Sequence, residues 1–110
     1  LERWLRRLAG ERLRDRVREQ AALTGLRPQR IIVGERTSRW GSCSPRGTIS
    51  LCYRLIMAPP AVADAVIVHE LCHLIHLNQG PRFRRLVRQL CPDHDRLMAW
   101  LRAHEADLEL

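Results

Sequence analysis

Two histidines and a glutamate stand close together in the middle of the chain, in the run His69-Glu70-Leu71-Cys72-His73. In an α-helix, residues four apart lie one turn above each other on the same face, so both imidazoles can reach one metal ion. Glu70 is then the natural general base for a metal-bound water, because its carboxylate stands beside the first ligand. The pattern predicts a metal site at His69 and His73, with Glu70 as the catalytic residue.

The helix that must carry these residues is predicted over residues 61–77. The run is too long for a strand, contains no Gly, and follows Pro59-Pro60, which suits a first helical turn. Apolar residues surround it on nearly every side, which is typical of a buried helix. Imidazoles on a buried helix need polar partners, and a metal ion is one candidate. On a helical wheel His76 falls within about 60° of both histidines, which makes it another candidate ligand.

Residue patterning over the rest of the chain predicts an α+β fold in a single domain. Apolar residues at helical spacing alternate with Arg-rich positions at the N-terminus, whereas β-branched and alternating runs follow and predict a small sheet. We expect this sheet to be three-stranded and of antiparallel type, with helices covering it. The predicted helices cover residues 1–23, 61–77, 81–90 and 93–108, and the predicted strands cover residues 31–33, 39–43 and 48–55.

Arginine supplies all of the basic charge: the 19 Lys and Arg residues are all Arg, and the formal net charge is +7. Arginine pairs in bidentate fashion with phosphate and carboxylate, so the composition indicates either an anionic partner or a solvated basic surface. The candidates for pairing nucleotide phosphates are Arg39, Arg54, Arg82 and Arg84. A nucleic-acid partner has weak support, because three Trp, one Tyr and one Phe leave few side chains for base stacking.

Neither a membrane-spanning run nor a charged-then-apolar leader is visible, which predicts a cytoplasmic location. The sequence starts without Met, as a fragment of a longer chain does. Its four cysteines lack Cys-x-x-Cys spacing, so buried free thiols are expected. A bridge between Cys43 and Cys52 across the predicted hairpin is the alternative.

Taken together, these motifs resemble the YgjP-like family of metal-dependent hydrolases, which are zincins related to SprT-like proteases. The resemblance rests on Arg39-Trp40-Gly41-Ser42-Cys43-Ser44, the strand after it, residues 55–59, the histidine helix and Phe83, in this order, and spans about residues 36–104. It implies a zincin-like α+β fold, a zinc ion on the two helix histidines, and a glutamate that acts through water.

The resemblance breaks at the third ligand. The family pattern supplies a third imidazole from an Asn-His-Ser element, whereas this chain has Asn78-Gln79-Gly80. The resemblance therefore assigns the third position to Gln79, whose amide oxygen is a poorer zinc ligand than imidazole. Three arrangements stay open: a weak site completed by Gln79, a site completed by His76, and a site without metal. His94 and His104 are remote candidates, expected on the surface of the last helix.

Three functions are compatible with these observations. The resemblance implies a zinc-dependent hydrolase of the metallopeptidase type, with a peptide or protein substrate, or a nucleotide pyrophosphatase acting on UTP-like substrates. The Gln79 replacement keeps a third function open, that of a metal-poor, non-catalytic descendant that binds a partner. Oligomeric state is left open by the sequence.

Overall fold

A computed structural model describes residues 2–35 and 39–108. Leu1, the first residue of the first predicted helix, lies outside these ranges. So do residues 36–38, where the family resemblance begins. The helices are α1 (Glu2–Thr24), α2 (Pro60–Cys72), α3 (Pro81–Leu90) and α4 (His94–His104), and the strands are β1 (Arg30–Gly34), β2 (Gly41–Cys43) and β3 (Thr48–Cys52). Short 3-10 helices span Tyr53–Met57 and Glu105–Leu108. The α+β class is confirmed.

The sheet is mixed, with strand order β1-β3-β2. Strand β2 runs antiparallel to β3, with Ser42 opposite Ser50, as the hairpin prediction required. Strand β1 runs parallel to β3, with Ile31 opposite Ile49, because the chain reverses twice between them. The prediction of three strands is confirmed, and the antiparallel expectation is wrong for β1. Strand β2 therefore forms one edge of the sheet.

Strand β3 ends at Cys52, three residues earlier than predicted. Tyr53 and Leu55 belong to a 3-10 helix, yet both are fully buried, which explains why the alternating pattern continued through them. Opposite Cys43 on the hairpin stands Ile49 rather than Cys52. All four cysteines are free thiols, so the alternative of a Cys43 to Cys52 bridge is wrong.

Helix α2 forms the centre of the molecule, with nine of its 13 residues buried. Pro60 occupies its first turn, where a missing N–H costs nothing. One core cluster packs α2 against α1, β3 and α4, and its members include Leu13, Val17, Ile49, Leu51, Ile67, Leu71, Leu97 and Leu101. A smaller cluster joins α2 to α3 and consists of Val68, Cys72, Phe83 and Val87. The end of α2 is thus held between two other helices.

The α-helical part of α2 is shorter than predicted, because it ends at Cys72. Beyond that residue the backbone tightens: the Leu74 N–H donates to the Leu71 carbonyl at 3.0 Å, and the Ile75 N–H donates to the Cys72 carbonyl at 3.2 Å. This three-residue spacing is that of a 3-10 turn, in which side chains leave the wheel of the preceding α-helix. No Gly or Pro stands between Pro60 and Gly80 to signal the change.

Several arginines stabilise the fold. Arg16 of α1 makes two hydrogen bonds to the Asp64 carboxylate of α2, at 2.8 and 2.7 Å. Arg6 and Arg54 both pair with Glu35, and their guanidinium groups lie over the Tyr53 ring at 5.1 and 5.0 Å. Part of the positive charge is therefore already matched inside the molecule. None of the helices in the described ranges has the length and apolar character that a membrane crossing requires.

Candidate metal centre

The last turn of α2 opens into a cleft of about 450 Å³, here called the histidine cleft. Its walls come from α2, from strand β2 and from the segment that follows α2. The lining residues are Arg39, Gly41, Ser42, Cys43, His69, Glu70, His73, Leu77 and Gln79. The structure therefore brings together all four residues that the sequence assigned to the site: His69, Glu70, His73 and Gln79.

His73 is the C-cap residue of α2, and its side chain is almost entirely buried. Its Nδ1–H donates to the His76 backbone carbonyl at 2.9 Å. The imidazole also stacks on the Phe83 ring, with 4.2 Å between centroids and 16° between planes. Since a neutral imidazole carries one N–H, this bond leaves the Nε2 lone pair available to a ligand.

His69 is held from another helix. Its Nδ1 lies 3.0 Å from the Nε2 of His94, and the two rings meet edge to edge, with 5.1 Å between centroids and 16° between planes. The edge of Phe83 also meets it at a centroid distance of 4.9 Å. Burial, together with the neighbouring His94 and His73, lowers the pKa of His69 from 6.5 to about 4. The imidazole is therefore neutral near pH 7, which is the form that binds a metal.

Gln79, in the segment that follows α2, also lines the histidine cleft and approaches His69. Its Nε2–H points at the Nε2 of His69, with 3.5 Å between the two nitrogens. Two ligand atoms at about 2.1 Å from a tetrahedral zinc ion lie about 3.4 Å apart. A half-turn of the amide about its last bond would exchange nitrogen for oxygen at this distance. The Gln79 side chain thus stands at ligand spacing from His69.

Glu70 is 7% exposed and faces strand β2. A Cβ atom at Gly41 would stand 3.1 Å from the Glu70 Cγ, 3.2 Å from Leu51 and 3.3 Å from Val66. A side chain at residue 41 would therefore require β2 or its neighbours on α2 and β3 to move by a few tenths of an ångström. Burial raises the pKa of the neighbouring Cys43 thiol, and the Glu70 charge raises it further. Cys43 is consequently a neutral wall of the cleft at physiological pH.

His76 and His104 lie elsewhere. The His76 side chain lines a separate groove of about 600 Å³ with Ile75, Leu77 and Arg82, because the 3-10 turn has rotated it off the wheel. The His104 ring stacks on Trp100 at 4.0 Å, and its Nδ1–H donates to the Trp100 carbonyl. The structure does not place either residue at the histidine cleft.

His94 is more buried, and closer to the site, than the sequence predicts. The side chain is 12% exposed rather than on the surface, and its Nδ1 lies 3.0 Å from an Asp95 carboxylate oxygen. It stands at the start of α4, whose Leu97 and Leu101 pack in the core beside α2. The only signal in the sequence was a histidine opening a helix, which carries no information on a contact 25 residues away.

Of the four arginines suggested for phosphate binding, Arg39 lines the histidine cleft. Arg54 is paired with Glu35 over Tyr53, Arg82 lines the groove beside His76, and Arg84 lies with Arg85 and Arg88 on the outer face of α3. These four candidates therefore lie on separate surfaces, and Arg39 is the one among them that lines the cleft.

Comparisons with known proteins point in one direction. A family model described as YgjP-like, metallopeptidase domain, matches residues 1–104. The crystal structure of the metallopeptidase zymogen of Pyrococcus abyssi, abylysin, superimposes with a TM-score of 0.65 at 19% identity, covering 82% of this chain and 95% of that one. At this identity the likeness is one of fold. No curated protein matches the chain.

The family match covers every element that builds the histidine cleft, from α1 to the end of α4. It confirms the resemblance drawn from the motif around Trp40, the histidine helix and Phe83. The chain belongs to the YgjP-like family of metallopeptidase domains.

Proposed function

We propose that this chain is a zinc-dependent peptide hydrolase in which His69, His73 and Gln79 hold the ion and Glu70 is the general base. The observation that supports it best is the convergence of these four side chains on one cleft. Each helix histidine has its Nδ1 engaged outside the cleft, by a carbonyl or by a second imidazole. Their Nε2 atoms are thereby left for a ligand.

The donors present fit zinc, although the set is weaker than three imidazoles. Across residues 2–35 and 39–108, no three His, Cys, Asp or Glu side chains are grouped to hold a metal. The third donor must therefore be of another type, and the Gln79 amide stands at the right spacing from His69. Three protein donors leave the fourth tetrahedral position open to water or substrate.

When bound, zinc polarises a substrate carbonyl and brings the pKa of water towards neutrality. Glu70 takes the proton from the attacking water and returns it to the leaving amine. Glu70 is buried between α2 and β2 and lines the histidine cleft. The neutral His69 serves as a ligand that needs no proton release before binding.

The edge of the sheet suits a peptide substrate. Strand β2 lies at the edge of the sheet and its three residues also line the histidine cleft. An extended peptide can pair with such an edge through its backbone, which would bring a peptide carbonyl to the histidines. Nucleotide hydrolysis has less support, because Arg39 is the one arginine among the suggested four that lines the cleft.

Zinc content and hydrolysis test the proposal together. After zinc loading and removal of excess metal, we expect close to one equivalent in the wild type. Glu70→Gln should keep the zinc and lose about 100-fold or more of the casein-hydrolysis rate. Glu19→Gln, an exposed change on α1, is the matched control and should behave as wild type.

Less than a tenth of an equivalent of zinc would reject the enzyme and favour a metal-poor binding protein. Nucleoside triphosphates are assayed in parallel. A Glu70-dependent rate on triphosphates without one on casein would replace the peptide substrate by a nucleotide.

A further inference from the structure

A row of polar groups runs from the surface of α4 to the histidine cleft. It starts at the Asp95 carboxylate, 3.0 Å from the His94 Nδ1. It continues from the His94 Nε2 to the His69 Nδ1 at 3.0 Å, and from the His69 Nε2 to the Gln79 Nε2 at 3.5 Å. The two imidazole planes differ by 16°. We call this row the α4 relay.

The chemistry of the two ends fixes the direction of every hydrogen bond between them. An ionised carboxylate only accepts, so the His94 Nδ1 must carry the proton that meets Asp95. With one N–H on each ring, the His94 Nε2 holds a lone pair, which accepts from the His69 Nδ1–H. His69 is left with its lone pair at Nε2, and this lone pair accepts from the Gln79 amide N–H. One consistent set of protons satisfies all three contacts.

We propose that His94 and Asp95 are positioning residues that fix the tautomer and orientation of His69, so that its Nε2 lone pair points into the histidine cleft. This inference rests on the proposed function, because it gives the relay a purpose at the metal. The Asp95 carboxylate, whose side chain is 75% accessible, thereby determines through His94 which nitrogen of the half-buried His69 imidazole is a donor. The Gln79 N–H occupies the position that a cation takes.

His73 provides an internal comparison. A backbone carbonyl, which can only accept, sets its tautomer in the same sense. Both histidines of α2 therefore carry Nδ1–H and present Nε2, as two ligands of one ion must. The relay does with side chains for His69 what the backbone does for His73. Nothing else in this part of the described chain offers the His69 Nδ1 an acceptor that the structure records.

The first test measures the tautomer of His69 in the metal-free protein at pH 7.5, from the 15N shifts of its ring. The wild type should show one tautomer, Nδ1–H. His94→Phe keeps an aromatic ring but removes the acceptor, so a mixture with the Nε2–H form is expected. His94→Gln places an amide oxygen near the former Nε2 and should restore Nδ1–H. His104→Phe, the same change on the same helix, is the control and should leave His69 as it was.

The second test measures zinc affinity by competition with a chelator. His94→Phe should weaken zinc binding by about 10- to 100-fold, the range found when a partner behind a histidine ligand is removed. Asp95→Ala should cause a smaller loss in the same direction. Asp93→Ala is the matched control, because Asp93 is equally exposed and pairs with Arg96 rather than with the relay. It should have no effect.

The two tests separate this inference from the proposed function. If the wild type takes up no zinc but the His69 tautomer follows residue 94, the proposed function fails and the alignment of His69 stands. If the wild type binds zinc and His94→Phe changes neither the tautomer nor the affinity, the relay has no positioning role and the inference is overturned. A loss of affinity in His94→Phe that His94→Gln does not recover would also overturn it, because an acceptor at residue 94 would then not be what supports zinc binding.

Discussion

The two histidines of α2 lie one helical turn apart and are secured by different regions of the molecule. His73 is held by the turn anchor, the carbonyl of His76 three residues further along. His69 is held by the α4 anchor, the imidazole of His94 from a separate helix. The turn anchor forms whenever the end of α2 folds, whereas the α4 anchor requires α4 to dock. The orientation of His73 is therefore set locally by the backbone, whereas that of His69 depends on tertiary packing.

Phe83 is the one described aromatic residue that contacts both rings, so its removal should disturb both anchors at once. The side chain is 3% exposed, and Phe83→Ala should lower the free energy of unfolding by about 3 kcal/mol. Urea denaturation measures this loss, and chelator competition should show weaker zinc binding. Leu86→Ala on the same helix is the control, since Leu86 is half-buried and packs at the side of the cluster. Unaltered zinc affinity in Phe83→Ala would mean that the anchors alone align the rings.

Gly41→Ala should affect catalysis without touching either anchor. The added Cβ meets Glu70, Leu51 and Val66 at 3.1 to 3.3 Å, so β2 or Glu70 must shift, at a cost of about 1 to 3 kcal/mol in unfolding free energy. Hydrolysis should fall further than zinc affinity does. Gly34→Ala on β1 is the matched control, because nothing lies within 4 Å of its added Cβ. Equal losses of zinc binding and hydrolysis would contradict the separation of Glu70 from the anchors.

Gln79→His tests the Nε2 side of His69, where the Gln79 side chain lies. An imidazole in place of the amide should tighten zinc binding by about 10-fold or more, because zinc prefers a nitrogen donor to a neutral amide oxygen. Competitive chelator titration measures the change. Asn78→His is the control, since residue 78 lines the groove beside His76 and not the histidine cleft. The same affinity in Gln79→His and the wild type would show that residue 79 does not reach the ion.

The smallest effect is expected at His76, whose carbonyl forms the turn anchor and whose side chain lies in a separate groove. His76→Ala keeps the carbonyl, so zinc affinity should change by less than about twofold. The same substitution at His94 removes the α4 anchor and should cause a far larger loss. Should both variants lose affinity equally, the distinction between a backbone anchor and a side-chain anchor would be wrong.

Periodicity located the helices well, since each was predicted to within a few residues of its start. The end of α2 was not predicted, because residues 73–77 are as apolar as the helix before them and lack a Gly or Pro. This error also produced the hypothesis that His76 is a ligand, which assumed that the helical wheel continued. The parallel pairing of β1 was missed for a related reason: turn residues indicate which neighbouring strands form a hairpin and say nothing about more distant pairs.

The residues of the candidate site also differ in how far the sequence predicts them. Short-range spacing was enough to place His69, Glu70 and His73 on one face, and the family pattern pointed to Gln79 as the residue facing them. His94 could not be found in this way, because its contact with His69 depends on how α4 packs against α2. Residues that act through tertiary contacts leave no periodic signal, even when they touch a residue that does.

Strand β2 has only three residues at the edge of the sheet. A peptide laid along it would find room for about two or three main-chain hydrogen bonds. So brief an edge can orient a substrate but cannot hold it firmly, and most selectivity must come from side-chain contacts beyond the strand. Because β2 is so short, it also offers little backbone for edge-to-edge pairing with a second copy of this protein.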